Sequence, residues 1–142
     1  MGKILAVDLG EVRTGIALSD SSQTIAMPLK VISGKNLEKL LEAIVEIVCE
    51  EQVVEVIVGN PINMNGTKGK KSQKCVRIAD LLSEKLELKY LEVPVKLWDE
   101  RLTTAGANVF MNMDDRRGKK RKESIDAVAA SLILEAYLGS LE

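Results

Sequence analysis

The residues from Val53 to Val58 form a nearly continuous β-branched run, and that run restricts the fold more tightly than any other segment of the chain. A strand of this kind has no polar face to give to water, so it must be covered on both faces, as in the interior of a sheet with helices on either side. Gly59-Asn60-Pro61 terminates it. Upstream, from the N-cap candidate Asn36, apolar residues recur at helical spacing (Leu37, Leu40, Leu41, Ile44, Val45, Ile47, Val48), with Glu38, Lys39, Glu42, Glu46 and Glu50 on the opposite side. Downstream, a polar, glycine-bearing loop from Asn60 to Lys71 leads into a second helix with the stripe Cys75, Ala79, Leu82 and Leu86. The Val53 strand therefore sits between two helices, as a parallel crossover requires.

Residues 3 to 9 and Thr14 to Ser19 read as two strands joined by the short link Gly10-Glu11-Val12-Arg13, which is hairpin length and makes them antiparallel. Gln23 to Ser33 gives a third strand, with Pro28 marking an edge or a bulge. Another runs from Tyr90 to Asp99 through alternating Leu91, Val93, Val95 and Leu97. Thr103 or Thr104 caps a short helix to about Met113, and a basic loop from Asp114 to Lys122 leads into a last helix. The apolar stretch Ala127 to Leu134 in that helix calls for burial on more than one side, against the sheet. The order β-β-β-α-β-α-β-α-α specifies an α/β fold whose antiparallel opening precedes parallel crossovers. At 142 residues and 46% apolar content, a single domain spanning 1–142 is expected, stable without disulfides. Cys49 and Cys75 fall within helical patterns, where a free Cys serves as a small buried hydrophobe in a reducing compartment.

The chain contains no histidine, which removes Ser-His-Asp triads, Cys-His pairs and imidazole metal sites. Two cysteines are too few for a thiolate metal centre, so chemistry must come from carboxylates, lysines, hydroxyls or oxygen-held metals. No apolar run reaches the ~18 to 20 residues of a membrane span and no signal peptide is evident, so a soluble cytoplasmic protein with no membrane partner is expected.

The net charge of -1 conceals segregation. Lys68 to Arg77 holds five basic and no acidic residues, and Arg116 to Lys122 holds six and none; the rest of the chain carries 9 basic against 21 acidic residues. Such strips are solvated loops about as often as they are polyanion sites. Lys68, Lys70, Lys71 and Lys74 flank Gly66 and Gly69 without P-loop spacing, and read as a flexible basic flap.

Asp8 ends an apolar strand, where a carboxylate has no packing value and must be hydrated, paired or bound to a metal. Strand carboxyl ends gather ligands in sheets of this type, so Asp8, Asn60 and the pair Asp99-Glu100 converge on one edge. Asp126 opens the apolar run of the last helix, where it either joins that edge or complements the helix dipole. Carboxylates brought together without histidine form a hard oxygen site for Mg²⁺ or Mn²⁺ and suit phosphodiester hydrolysis, although any one of them alone is more often a salt bridge. Arg13 and Arg101 either neutralise a neighbouring acid or clamp a phosphate. Trp98, in a chain with 3% aromatics, reads as core rather than a stacking platform.

Taken together, Val7-Asp8-Leu9-Gly10 with Arg13 and Gly15, Ser19-Asp20, Val58-Gly59-Asn60-Pro61 with Asn65-Gly66 and Gly69, Asp99-Glu100-Arg101-Leu102-Thr103-Thr104, and Ile125-Asp126-Ala127-Val128-Ala129-Ala130 resemble the YqgF (RuvX) family of RuvC-like Holliday junction resolvases and pre-16S rRNA nucleases. The resemblance covers essentially the whole chain. It implies an RNase H-like fold with a mixed five-stranded sheet and helices on both faces. It also implies a nuclease that uses Mg²⁺ or Mn²⁺ held by Asp8, Glu100 and Asp126, with Asp99 as a substitute or neighbouring partner. Where RuvC-type enzymes carry an acid at the end of the fourth strand, this chain has Gly59-Asn60, so the second acid must come from the fifth. The nucleic-acid contacts would be Arg13, Lys68, Lys70, Lys71, Lys74, Arg101, Arg116, Arg117, Lys119, Lys120, Arg121 and Lys122. Precursor 16S rRNA is the favoured substrate and branched DNA the alternative, handled by a monomer or, for paired junction cuts, a homodimer. Two other readings compete: an actin- or sugar-kinase-like ATPase, for which one RNase H-like half is too short, and a nonenzymatic RNA-binding module.

Overall fold

The computed structural model describes residues 1–61, 66, 69–102 and 118–141, with side chains of the last helix described from Ile125. A five-stranded sheet runs in the order β3-β2-β1-β4-β5, formed by β1 (Lys3–Asp8), β2 (Arg13–Ser19), β3 (Ala26–Ser33), β4 (Val53–Asn60) and β5 (Val95–Asp99). β1 pairs antiparallel with β2 and β2 antiparallel with β3, while β1–β4 and β4–β5 are parallel. α1 (Leu37–Glu51) and α2 (Lys70–Leu88) cover one face, and α3 (Gly118–Ser140) crosses the other. This is the expected mixed sheet with helices on both faces.

The β-branched run behaves as its composition requires. Val56, Ile57 and Val58 are fully buried, Val56 and Val58 against α1 and α2 and Ile57 against α3. β4 continues through Gly59 and Asn60 rather than stopping at Val58. The Asn36 side chain caps α1 by accepting the Lys39 N–H at 3.0 Å, as its position suggested. On α3, Ala127, Ala130, Ile133, Leu134, Tyr137 and Leu138 are buried against the sheet while Val128, Ala129 and Leu132 are half-buried.

Several boundaries differ from the sequence reading, each for a local reason. β3 begins at Ala26, not Gln23, because the Asp20 carboxylate accepts the backbone N–H groups of Thr24 and Ile25 and the hydroxyls of Ser22 and Thr24, folding this stretch into a turn. β5 begins at Val95, not Tyr90. Tyr90 closes α2 at positive φ, the Leu91 N–H returns to the Leu86 carbonyl, and Pro94 has no N–H for the ladder. Leu91 and Val93 still pack on the core, but as irregular chain.

Lys70, Lys71 and Lys74 belong to the first turns of α2, so they form no flexible flap. α3 already begins at Gly118, which places Lys119, Lys120, Arg121 and Lys122 on a helical backbone instead of a loop, and leaves Asp126 well past the first turn, where no dipole complementation applies. Cys75 is buried as expected, but Cys49 is exposed on the outer side of α1. The helix expected from Thr103 to Met113, together with Lys68, Arg116 and Arg117, lies outside the described residues.

Candidate active site

The parallel pairing of β1 with β4 sets Val7 beside Val58, so the chain leaves both strands at the same edge of the sheet, with Asp8 at the end of one and Gly59-Asn60 at the end of the other. β5 joins in register, Gly59 beside Trp98 and Asn60 beside Asp99, and turns at once into a single 3-10 turn, Glu100–Leu102. That turn folds the Glu100 side chain back over Gly59: a Cβ on Gly59 would stand 3.3 Å from the Glu100 carboxyl carbon. Gly59 leaves the room that the Glu100 side chain and Ile133 occupy beside the end of β4.

The third acid arrives from the opposite layer. α3 crosses β2 so closely at Gly15, the antiparallel partner of Asp8, that a Cβ there would lie 2.0 Å from the Asp126 carbonyl oxygen. The Asp126 carboxylate accepts a hydrogen bond from Arg13 Nε at 3.1 Å. Asp99 and Arg101 form a separate local pair, with the guanidinium donating to both carboxylate oxygens at 2.7 to 3.1 Å. Arg101 thereby holds the Asp99 carboxyl below its usual range. Of the two adjacent acids, Asp99 is neutralised by its own neighbour and Glu100 is the one turned into the cluster.

Burial first, and then the negative charge of Glu100, push the Asp8 carboxyl up to about 7; Asp126 adds to the rise and the Lys71 ammonium opposes it. Burial likewise raises Glu100, with Lys71 again opposing and Asp99 contributing. Among the described residues, Lys71 is thus the cation whose charge acts on both Asp8 and Glu100. Its placement depends on Asn60 and Ser72, which sequence reasoning treated differently or missed. Asn60 does not aim at a ligand: its Oδ1 accepts the Ser72 hydroxyl at 2.6 Å, with both residues buried, and this bond fixes the start of α2 against the end of β4. The signal for Ser72 was present, since it continues the stripe Cys75, Ala79, Leu82, Leu86 one turn toward the N-terminus.

Beside the acids lies a cavity of about 510 Å³ between Leu9-Gly10-Glu11 of the first hairpin and Lys70, Lys71 and Lys74 of α2. Cys75 lines it, a thiol that burial pushes up to about 11 and keeps protonated. Trp98 packs edge-on against Tyr137, ring centroids 5.5 Å apart, within the α3 layer, consistent with a core role. Its indole nitrogen is buried without a partner among the described residues.

Burial of the Asp8 charge gives the metal-free protein a definite pH response. Below about pH 3.8 the carboxyl is protonated in folded and unfolded chains alike; between there and about 7 only the folded chain keeps the proton, so stability falls as pH rises through this window and levels off above it. Asp8→Asn is expected to remove that fall and to leave the chain more stable at pH 8 by roughly 2 to 4 kcal/mol. Urea denaturation of both proteins in EDTA at pH 5 and pH 8 measures it, and equal slopes with pH would contradict it.

The described residues contain no group of three or more Asp, Glu, Cys or His side chains arranged to hold a metal ion. What they do contain is an oxygen-only donor set, Asp8 and Glu100, half-buried and close enough for their charges to repel, with Asp126 nearby and turned to Arg13. That chemistry fits a hard divalent cation, which would offset the burial and the repulsion that raise Asp8.

A mixed sheet in the order 3-2-1-4-5, with helices on both faces and acids gathered at the ends of β1 and β5, defines an RNase H-like architecture. Within that class, the chain belongs to the RuvX family, described as Holliday junction resolvase, whose model matches residues 2–140. It is 43% identical over 139 residues to a protein of Thermoanaerobacter pseudethanolicus named "Putative pre-16S rRNA nuclease", with 97% of this chain and 96% of the other covered. A protein of the same name from Caldanaerobacter subterraneus is 41% identical over 140 residues, covering 97% and 96%. Among solved structures, Thermus thermophilus RuvC in complex with a Holliday junction substrate superposes with a TM-score of 0.60 at 13% identity, over 99% of this chain and 96% of that one. The fowlpox virus Holliday junction resolvase gives 0.56 at 14%, over 97% and 99%. At such identities these two likenesses establish the shared fold.

Among the described residues no helix is long and apolar enough to cross a membrane.

Proposed function

We propose that this chain is a single-domain nuclease, dependent on Mg²⁺ or Mn²⁺, that hydrolyses phosphodiester bonds of precursor 16S rRNA in the cytoplasm. The observation that carries the reading is that Glu100 folds over Gly59 close enough to raise Asp8, with Lys71 opposing that rise and lining, with Lys70 and Lys74, the neighbouring cavity. The relatives named as pre-16S rRNA nucleases, about 40% identical, support RNA as the substrate. Asp8 and Glu100 would hold the metal, with Asp126 completing the set once its carboxylate leaves Arg13. An ion held there would lower the pKa of a water toward neutrality and offset the charge that develops on the leaving oxygen.

The chain's own residues do the rest. Lys71 offsets the charge of the two half-buried acids, and Lys70 and Lys74, exposed on the first turns of α2, receive the backbone phosphates on either side of the scissile bond. Arg13 holds Asp126 until it is needed and is then free to meet a phosphate with its planar fork. Binding carried by phosphates must weaken steeply with salt. Lys70→Ala and Lys74→Ala are each expected to reduce the slope of log affinity against log salt by about 0.7 on single-stranded RNA. Fluorescence anisotropy between 50 and about 200 mM salt reads this, and an unchanged slope would remove those lysines from the interface.

The reading is tested by offering a labelled precursor 16S leader RNA and a mobile four-way DNA junction, each with Mg²⁺ or Mn²⁺. Metal-dependent cleavage of the RNA supports it. Paired cuts of the junction alone would instead assign resolvase action, which the likeness in fold to junction resolvases keeps as the second reading and which requires a homodimer.

A further inference from the structure

The cavity beside Lys71 continues past Glu11 and Lys74 into a second hollow of about 250 Å³, and no step of the proposed hydrolysis uses it. Its floor is apolar, formed by Leu9, Leu37, Leu40 and Ile78. Its rim is cationic: Lys35 stands on the loop before α1, and Lys74 and Arg77 are three residues apart on α2, hence on one side of the helix. Among the described residues none of these three cations takes part in an ion pair. Lys35 carried no signal in the sequence, because it sits alone between Gly34 and Asn36, away from both basic strips.

The two halves of this lining ask for different things. A phosphate alone has no use for four aliphatic side chains, and an aliphatic ligand has none for three cations. A flat, amphipathic ring joined to a phosphate satisfies both, and the space is ample where ~10–15 Å³ admits one water. We propose that the hollow receives one unpaired base of the substrate strand, with the phosphate linking it to the neighbouring nucleotide held by Lys74, the cation common to both cavities. The Arg77 guanidinium offers a plane for the base to stack on, and the Glu11 carboxylate at the lip between the cavities accepts from an exocyclic amine. This assignment rests on the nuclease reading and adds to it a substrate requirement: a nucleotide beside the cleaved bond must be free of its partner, as in a single-stranded leader, and an intact duplex cannot seat it.

Binding of a short labelled single-stranded RNA in EDTA, where nothing is cut, tests this with an abasic nucleotide moved along the strand. Wild-type protein is expected to show one register at which the missing base costs at least about fivefold in affinity. Leu40→Trp, which fills the hollow, is expected to weaken the intact strand by a similar factor and to abolish the difference between intact and abasic RNA. Should Leu40→Trp fail to fold, the exposed pair Lys35→Ala with Arg77→Ala serves in its place, with the abasic penalty shrinking in parallel. No penalty at any register, or a penalty unchanged in both variants, overturns the proposal. So does tight saturable binding of a free nucleoside monophosphate that Leu40→Trp removes, which would make the hollow an effector site. Because the penalty is read without turnover, a chain that shows it yet cuts nothing contradicts the nuclease reading alone, and a chain that cuts the leader without it contradicts the base pocket alone.

Discussion

Replacing Asp8 by Asn is expected to lower single-turnover cleavage by about a thousandfold or more, while RNA affinity in EDTA stays at its wild-type value or rises. The substitution keeps the size of the side chain and removes the charge that a divalent cation requires. Affinity is not expected to suffer because the proposed phosphate contacts come from α2, and the neutral side chain repels the strand less than a carboxylate does. The same substitution is expected to stabilise the metal-free fold, and the urea denaturation described above separates loss of activity from loss of structure. A variant that kept a tenth of the wild-type rate would show that Asp8 is a structural acid.

Gly15→Ala is expected to destabilise the fold by about 3 kcal/mol, together with loss of activity. Its methyl group would stand 2.0 Å from the Asp126 carbonyl oxygen and 2.5 Å from the carbonyl carbon. No rotamer change relieves a clash with backbone, so α3 must lift from β2 and carry Asp126 away from Asp8. Gly139→Ala provides the control. It lies on the same helix with nothing within 4 Å of the added carbon, and is expected to stabilise by roughly 0.5 to 1 kcal/mol through helix propensity. Thermal and urea denaturation compare the two; a Gly15→Ala protein as stable as wild type would show that α3 and β2 tolerate separation.

The contrast between β4 and β5 shows what the sequence could reveal. β4 was legible because its burial on both faces leaves one composition, β-branched and apolar, and α1 because its stripe and its Asn36 cap agree. The start of β5 was not, since Leu91 and Val93 alternate like a strand and pack half-buried on the core, while the turn that ends α2 and the missing Pro94 N–H keep them out of the ladder. In the site, Asp8 was legible from its place at the end of an apolar strand. The choice between Asp99 and Glu100 was not, because it is made by a single 3-10 turn and by Arg101, whose guanidinium takes Asp99 and leaves Glu100 to fold over Gly59. The basic strip on α2 was visible as charge, but its anchoring was hidden in one buried bond between Asn60 and Ser72.

Titration of Mn²⁺ against wild-type protein, Asp8→Asn, Glu100→Gln and Asp99→Asn, followed by the loss of the free-ion electron paramagnetic resonance signal, tests the acid centre most directly. The expected result is saturable binding to wild type and to Asp99→Asn, and binding at least about tenfold weaker in the Asp8 and Glu100 variants. Equal binding by all four proteins, or none by wild type with RNA present, would contradict a metal site built by Asp8 and Glu100 over Gly59.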